Sequence, residues 1–196
     1  MSGALKEVRN RIKSVQSTQQ ITKAMKMVSA AKLRRAQDAI TQMRPYAKKL
    51  QEVLGNIVSN SDGDINLTLA TERAVEKVLV IIVTSDRGLC GGFNNNVIKR
   101  VGVLIHEDYK DANVQVLSVG KKIRDVYKRT DYNYANEKIE QMEDVYADLR
   151  FDVVAQLAEE IILQFKNNSF DKIVLVYNRF INAATQYIES EQFLPI

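Results

Sequence analysis

An α/β protein in two parts is predicted here: a long N-terminal coiled-coil helix, then a three-layer domain with a mostly parallel sheet. Three observations carry that prediction. A heptad stripe runs through the first sixty residues, three short runs are apolar and rich in β-branched residues, and helical periodicities separate those runs. The 196 residues are 45% hydrophobic, ordinary for a globular chain of one or two domains.

The helix comes first. Leu5, Val8, Ile12 and Val15 step at alternating gaps of three and four, and the stepping resumes at Leu33, Ala36, Ile40, Met43, Ala47, Leu50, Leu54 and Ile57. Such a stripe buries one narrow seam against another helix. Its core is assigned to Val8, Ile12, Val15, Leu33, Ile40, Met43 and Leu50. Between the two apolar stretches the same register holds Gln19, Thr22, Lys26 and Ser29, so the middle of the seam is polar, while Ile21, Met25 and Val28 form a rotated stripe. About 55 helical residues rising about 1.5 Å each make a rod of roughly 80 Å. No later segment is comparably long, so the partner helix is expected from another chain, or to have been removed from this one. Domain limits of 1–60 for the helix, 61–72 for a linker and 73–196 for the α/β domain follow, with Asn60-Ser61-Asp62-Gly63-Asp64 as the clearest linker signal.

Charge divides the chain at the same place. Through Asn60 there are twelve basic residues against three acids, a net of +9. The remainder holds sixteen basic and twenty-one acidic residues, a net of −5. A basic rod on a mildly acidic body predicts an acidic partner for the rod, be it nucleic acid, anionic membrane or an acidic protein loop. The single cysteine, Cys90, excludes an intramolecular disulfide and fits a reducing compartment. No apolar run reaches the length of a membrane span. The opening Met-Ser-Gly-Ala-Leu runs straight into the heptads, so no signal or transit peptide is expected.

The body reads as alternating elements. Lys77–Thr84 (KVLVIIVT) is a strand buried on both faces, followed after a glycine-rich loop by a helix from about Asn94 to Asp108. Asn113–Val119 is a second strand, Lys121–Arg129 a short helix, and Asp131–Met142 is ambiguous. Val145–Lys166 is read as one long amphipathic helix through Leu149, Val153, Leu157, Ile161 and Phe165. Lys172–Tyr177 is a third buried strand, and the weak alternation of Gln186–Leu194 adds an edge strand. Together these give a Rossmann-like domain.

A glycine turn between strand and helix can cradle phosphate, but Gly88-Leu89-Cys90-Gly91-Gly92-Phe93 fits neither G-x-G-x-x-G nor a P-loop. The second strand ends in Val119-Gly120-Lys121 with no acid placed for a ribose hydroxyl, so the loop is read as a structural tight turn. Cys90 sits near a helix start, where thiols become nucleophilic, yet the one histidine, His106, lies turns away. Cys90 is therefore expected to be a small packing thiol, and His106 a surface residue. One histidine and one cysteine make no ordinary zinc site. No cofactor, metal or catalytic constellation is predicted. The Lys23–Arg35 stretch is either a solvated basic face or a contact surface made thin by alanines and adaptable by methionines.

Three stretches carry a family resemblance. Residues 17–33, STQQITKAMKMVSAAKL, closely resemble the N-terminal helix of the gamma subunit of F-type ATP synthase. Ser85-Asp86-Arg87-Gly88-Leu89-Cys90-Gly91-Gly92-Phe93-Asn94 resembles its second hallmark, and Tyr177-Asn178-Arg179-Phe180-Ile181-Asn182 a third. The resemblance implies a non-catalytic central-stalk rotor subunit that couples ion-driven rotation of a membrane ring to ATP synthesis at the beta subunits. Its implied partners are the alpha and beta subunits, the epsilon subunit and the membrane rotor ring. Its implied place is the cytoplasmic face of a bacterial inner membrane, held peripherally through those partners. It also implies that Met25, Lys26, Lys32, Arg34, Arg35, Arg87 and Cys90 face the alpha–beta hexamer, the α1 residues near acidic lever loops of beta. Met25 matches a position the family keeps apolar, whereas Lys26 occupies one that is acidic in some relatives. A C-terminal helix pairing with the seam would follow Ile196, so the 196 residues are read as lacking it, and the isolated chain is expected to self-associate or be poorly soluble. The chloroplast type's dithiol insertion is absent, so no thiol switch is expected. Two other functions compete on residues alone: an adaptor whose basic arm binds nucleic acid, and a small dinucleotide oxidoreductase.

Overall fold

The computed structural model describes residues 2–60, 68–136, 139, 146 and 149–196, without the side chains of Ser2 and Val58. The chain forms two compact units, Met1–Asp64 and Ile65–Ile196.

The first unit is one helix, α1 (Ser2–Asn60), of 59 residues. Alanine, lysine, glutamine, leucine and methionine dominate it, all strong helix formers. Thr18, Thr22 and Thr41 would favour strands elsewhere, but each hydroxyl donates back to a carbonyl of the preceding turn, those of Ser14, Gln19 and Gln37. At the end, Asn60 Nδ2 donates to the Asn56 carbonyl at 2.8 Å, meeting one of the acceptors a helix terminus leaves open. Pro45 lies inside the helix and cannot donate to the Thr41 carbonyl, a local weakening the long flanks absorb.

The second unit is built on strands β1 (Lys77–Val83), β2 (Asn113–Val119), β3 (Lys172–Phe180) and β4 (Gln186–Leu194) in the order β2-β1-β3-β4. β1 is parallel to both neighbours, with Lys77 opposite Asn113 and Val78 opposite Lys172. β4 returns antiparallel along β3 and closes one edge of the sheet, with a register shift between Ile173 and Val174. Strand period two sends alternate β1 residues to opposite faces. Val78, Val80 and Ile82 pack under α2 (Phe93–Val103) and α3 (Lys121–Tyr127) through Val97, Val101, Ile123 and Tyr127. Leu79 and Ile81 pack under α4 (Phe151–Lys166) through Leu157, Ile161 and Phe165. Both faces of the sheet are therefore covered, which is why β1 is apolar without alternation. After Val103, α2 continues as a π-helical turn, Leu104–Asp108.

Several boundaries differ from the sequence reading. The amphipathic pattern from Val145 predicts a longer helix than exists: Arg150 is extended (φ −109°, ψ 153°) and Leu149 is 68% exposed, so α4 starts at Phe151. Leu149 continues the spacing but is largely exposed; Val145, Ala147 and Asp148 lie outside the described residues. β3 runs on to Phe180 because β4 pairs with its polar end. Within the ambiguous Asp131–Met142 segment, Asn133 bridges to Val116, while 137–138 and 140–142 lie outside the described residues. The linker signal at 61–64 also lies outside them. Leu69, in the segment read as linker, already packs on the core, and its carbonyl accepts the Ile196 N–H at 2.9 Å. Arg73 joins the core too: its guanidinium lies 4.3 Å from the Phe165 ring centre and donates to the Phe165 carbonyl and to Asn168.

Candidate partner interface

On α1 every seam position is exposed: Val8, Ile12, Val15, Leu33, Ile40, Met43 and Leu50 lie between 36% and 62%. Ile21, Met25 and Val28 are equally bare. At about 100° per residue, Ile21, Met25, Val28 and Lys32 share one side of the helix. Arg35, seven residues after Val28, lies at the edge of that side, whereas Lys26 and Arg34 fall on two others. The structure therefore does not gather the predicted α1 contact residues into one face; their charges encircle the helix.

Arg87 and Cys90 belong to the second unit, in the loop from β1 to α2, and both are exposed. The expectation of a packed Cys90 is wrong. Its Sγ sits at the surface, 3.3 Å from Asn94 Nδ2 and 3.9 Å from the Arg87 carbonyl. Cys90 stands at the tip of a turn whose flanking residues Leu89 and Gly91 take left-handed backbones (φ 61° and 58°), and no core lies over its side chain there. His106 is exposed as expected and meets the Tyr132 ring edge-on at 6.4 Å.

The residues that hold this loop were not singled out from sequence. Asn94 is 7% exposed; its Oδ1 accepts from the Ser85 N–H at 3.1 Å, and its Nδ2 donates to Ser85 Oγ at 2.9 Å. Ser85 Oγ in turn donates to the Arg87 carbonyl at 2.6 Å. From β3, Asn178 Nδ2 donates to the Phe93 carbonyl at 3.0 Å, so the second and third sequence hallmarks meet in space. The signal was available, since Ser85 and Asn94 bracket one hallmark and Asn178 lies in the other.

Behind the loop, a cleft of about 450 Å³ opens at the carboxyl ends of β1 and β3, bounded by Asp86, Arg87, Phe93, Tyr146 and Tyr177. Chain order reverses between these strands, which is where doubly wound sheets bind ligands. Asp86 Oδ1 accepts the Lys121 N–H at 2.9 Å and so occupies the start of α3. Partial burial, with 38% of Tyr146 still exposed, and next the Asp86 charge push its hydroxyl up to about 12. Gly120 (φ 105°) is required by close approach, because a Cβ there would lie 2.4 Å from the Thr84 carbonyl oxygen. Among the described residues no cluster of three or more His, Cys, Asp or Glu could hold a metal ion, and no helix is long and apolar enough to cross a membrane.

Known proteins extend the geometry. The family described as ATP synthase matches residues 4–196. The ATP synthase gamma chain of Christiangramia forsetii is 49% identical over 192 residues, and that of Flavobacterium psychrophilum 50%. Each alignment covers 98% of this chain, which spans 65% of the relative's length. Among solved structures, the central stalk and c-ring of Tetrahymena thermophila mitochondrial ATP synthase superposes with a TM-score of 0.65 at 25% identity, covering 89% of this chain and 72% of that one. A rotor chain of Euglena gracilis mitochondrial ATP synthase (TM-score 0.54, 19% identity, 98% and 63% covered) shares the fold. A match over nearly the whole chain, at close to half identity to gamma chains, places it: the chain belongs to the ATP synthase gamma family.

Proposed function

We propose that this chain acts as the central-stalk rotor subunit of an ATP synthase, coupling ion-driven rotation of a membrane ring to ATP synthesis at beta subunits. The observation that carries the proposal is α1: 59 residues of basic helix with a heptad seam left bare along its length. Burying one Leu or Ile contributes roughly 1.5–3 kcal/mol, so seven exposed seam positions are too many to leave wet in the working state. A second helix covers them in the assembly. In this reading the helix of residues 1–60 is half of the rotor shaft, and the unit Ile65–Ile196, which includes Leu69, is the foot of the stalk, contacting the epsilon subunit and the ring. The chain does no bond chemistry. It works at the cytoplasmic face of the bacterial inner membrane, held there by its partners.

The encircling charges suit a shaft inside a ring of similar partners, since some cation faces each partner at every angle. Met25, Lys26, Lys32, Arg34 and Arg35 meet acidic loops of beta, and Arg87 and Cys90 face the same hexamer. Each exposed charge pair contributes only about 0–1 kcal/mol and is screened by salt. Neutralising one cation therefore lowers coupled ATP synthesis modestly, whereas replacing Lys26, Lys32, Arg34 and Arg35 together by alanine lowers it severely. Full coupling in the quadruple variant would show that torque passes by shape alone. The partner assignment is tested by affinity purification from the native cell after nuclease treatment. Retained alpha and beta subunits support it; recovery that depends on RNA overturns it.

A further inference from the structure

We propose that the second unit holds a binding site for a phosphate group, in the cavity between α3 and the outer edge of β2. The cavity has a volume of about 320 Å³, at the small end of the range for ligand sites. Leu117 and Ser118 line it from β2, Arg124 and Lys128 from α3 and its cap, and Asn133, Tyr134 and Ile139 from the residues that follow. It shares no residue with the cleft at β1 and β3.

The end of strand pairing opens this space. In a strand the N–H and C=O of alternate residues point to the same edge. Val116 turns both groups outward: its N–H donates to the Tyr132 carbonyl at 2.6 Å, and its carbonyl accepts the Tyr134 N–H at 2.9 Å. Among the described residues, pairing on this edge is the one bridge from Val116 to Asn133. Ser118, two residues on, faces the space beyond it. The far wall is held by Tyr134, whose ring meets Phe170 edge-on at 5.5 Å and whose hydroxyl accepts from Asn136 Nδ2 at 3.1 Å.

Charge and donors select the ligand. Two cations, a carboxamide and a hydroxyl belong to the lining residues, and none of the described residues there is acidic. Lys121 stands on the same side of α3 as Arg124 and Lys128, at spacings of three and seven. Lys128 Nζ lies 3.9 Å from Asp125 Oδ1, an exposed pair that offsets little of its charge. Ser118 Oγ is buried without a hydrogen-bond partner, and native folds leave few such groups. A phosphate oxygen, met by rotation of that hydroxyl about χ1, gives it the acceptor it lacks. A guanidinium fork and an ammonium suit a phosphate dianion, whose three terminal oxygens take donors from several sides. A carboxylate presents fewer oxygens to the same donors. Leu117, Tyr134 and Ile139 add apolar wall, so the phosphate group is either free or carried on a small organic body.

The test titrates the full chain with inorganic phosphate and with phenyl phosphate by calorimetry, at constant ionic strength. Saturable binding with a Kd of about 1 mM or tighter is expected, and acetate does not displace it. Arg124→Gln and Lys128→Gln each weaken binding about tenfold, the order of one charge-assisted hydrogen bond. Lys110→Gln removes the same charge near the other end of β2 and leaves binding unchanged. Ser118→Ala weakens binding about threefold without lowering the melting temperature of the free chain, because the lost hydroxyl had no partner. Tighter binding of phenyl phosphate than of phosphate identifies an organic phosphate as the ligand; equal affinity identifies inorganic phosphate. No saturable binding of either up to about 10 mM overturns the site. Equal weakening by Lys110→Gln and Arg124→Gln also overturns it, since the cations then act only as diffuse charge.

Discussion

The two units use the same apolar residue types to opposite ends. In α1, Ile12, Ile40 and Leu50 are 51%, 36% and 44% exposed, whereas in the body Leu79, Ile81 and Ile82 are 0%, 5% and 0%. The difference lies in spacing. Consecutive apolar residues in a strand face both sides of a sheet, and the chain supplies helices to cover both. A heptad stripe is one half of an interface, and along α1 that stripe is exposed. Isolated helices are held by local hydrogen bonds and propensity and are marginal in water. The body buries its apolar residues against its own layers, while the stripe of α1 stays bare.

Four substitutions or conditions sharpen or break that contrast, and the largest effect is expected deep in the body. Phe165 is fully buried between Arg73 and the sheet, so Phe165→Ala should cost about 3–5 kcal/mol of body stability in urea unfolding. A loss below about 1 kcal/mol would mean that α4 is not an integral layer.

Next comes Gly120→Ala. The added Cβ meets the Thr84 carbonyl oxygen at a backbone angle only glycine takes easily, so about 2 kcal/mol or more should be lost. Helicity contributed by α1, followed by circular dichroism, should be lost gradually and independently of the sharp transition of this variant's body. One concerted transition would break the comparison.

Tyr146 gives a smaller, pH-dependent effect. Its folded pKa, about 12, lies above the ordinary tyrosine value, so its contribution is complete below pH 10 and is lost as pH rises toward 12. Body stability should fall across that window, and Tyr146→Phe should make the fall shallower. Tyrosinate absorbance titrated in parallel identifies the group; identical profiles for both proteins would remove Tyr146 from the account.

The smallest stability effect belongs to the seam. Ile40→Glu on α1 should shift body unfolding by less than about 0.5 kcal/mol, because an exposed site loses little. The same change should prevent assembly with the partner helix in the complex, as judged by size-exclusion chromatography. A body destabilised as strongly as by Phe165→Ala would show that the seam is covered within the chain.

Sequence spacing by itself determined the long helix, the order of strands and helices, and the covering of both sheet faces. The helices follow from periods near 3.5, and the covered strands from apolar β-branched runs without alternation, signals that extend over enough residues to dominate local exceptions. The extra length predicted for α4 shows the limit: Leu149 keeps the period, yet a period cannot reveal where the sheet beneath a helix ends. The exposure of Cys90 was equally hidden, because it depends on left-handed backbones at Leu89 and Gly91 that only the assembled loop imposes. Hallmark residues Ser85, Asn94 and Asn178 stood in the sequence as separate strings. Only the parallel pairing of β1 with β3 carried Asn178 to the Phe93 carbonyl, 85 residues away in the chain. Local pattern fixes which elements form, since it depends on neighbours within a few residues. The loop's geometry is decided by hydrogen bonds between groups that the chain brings together only by folding.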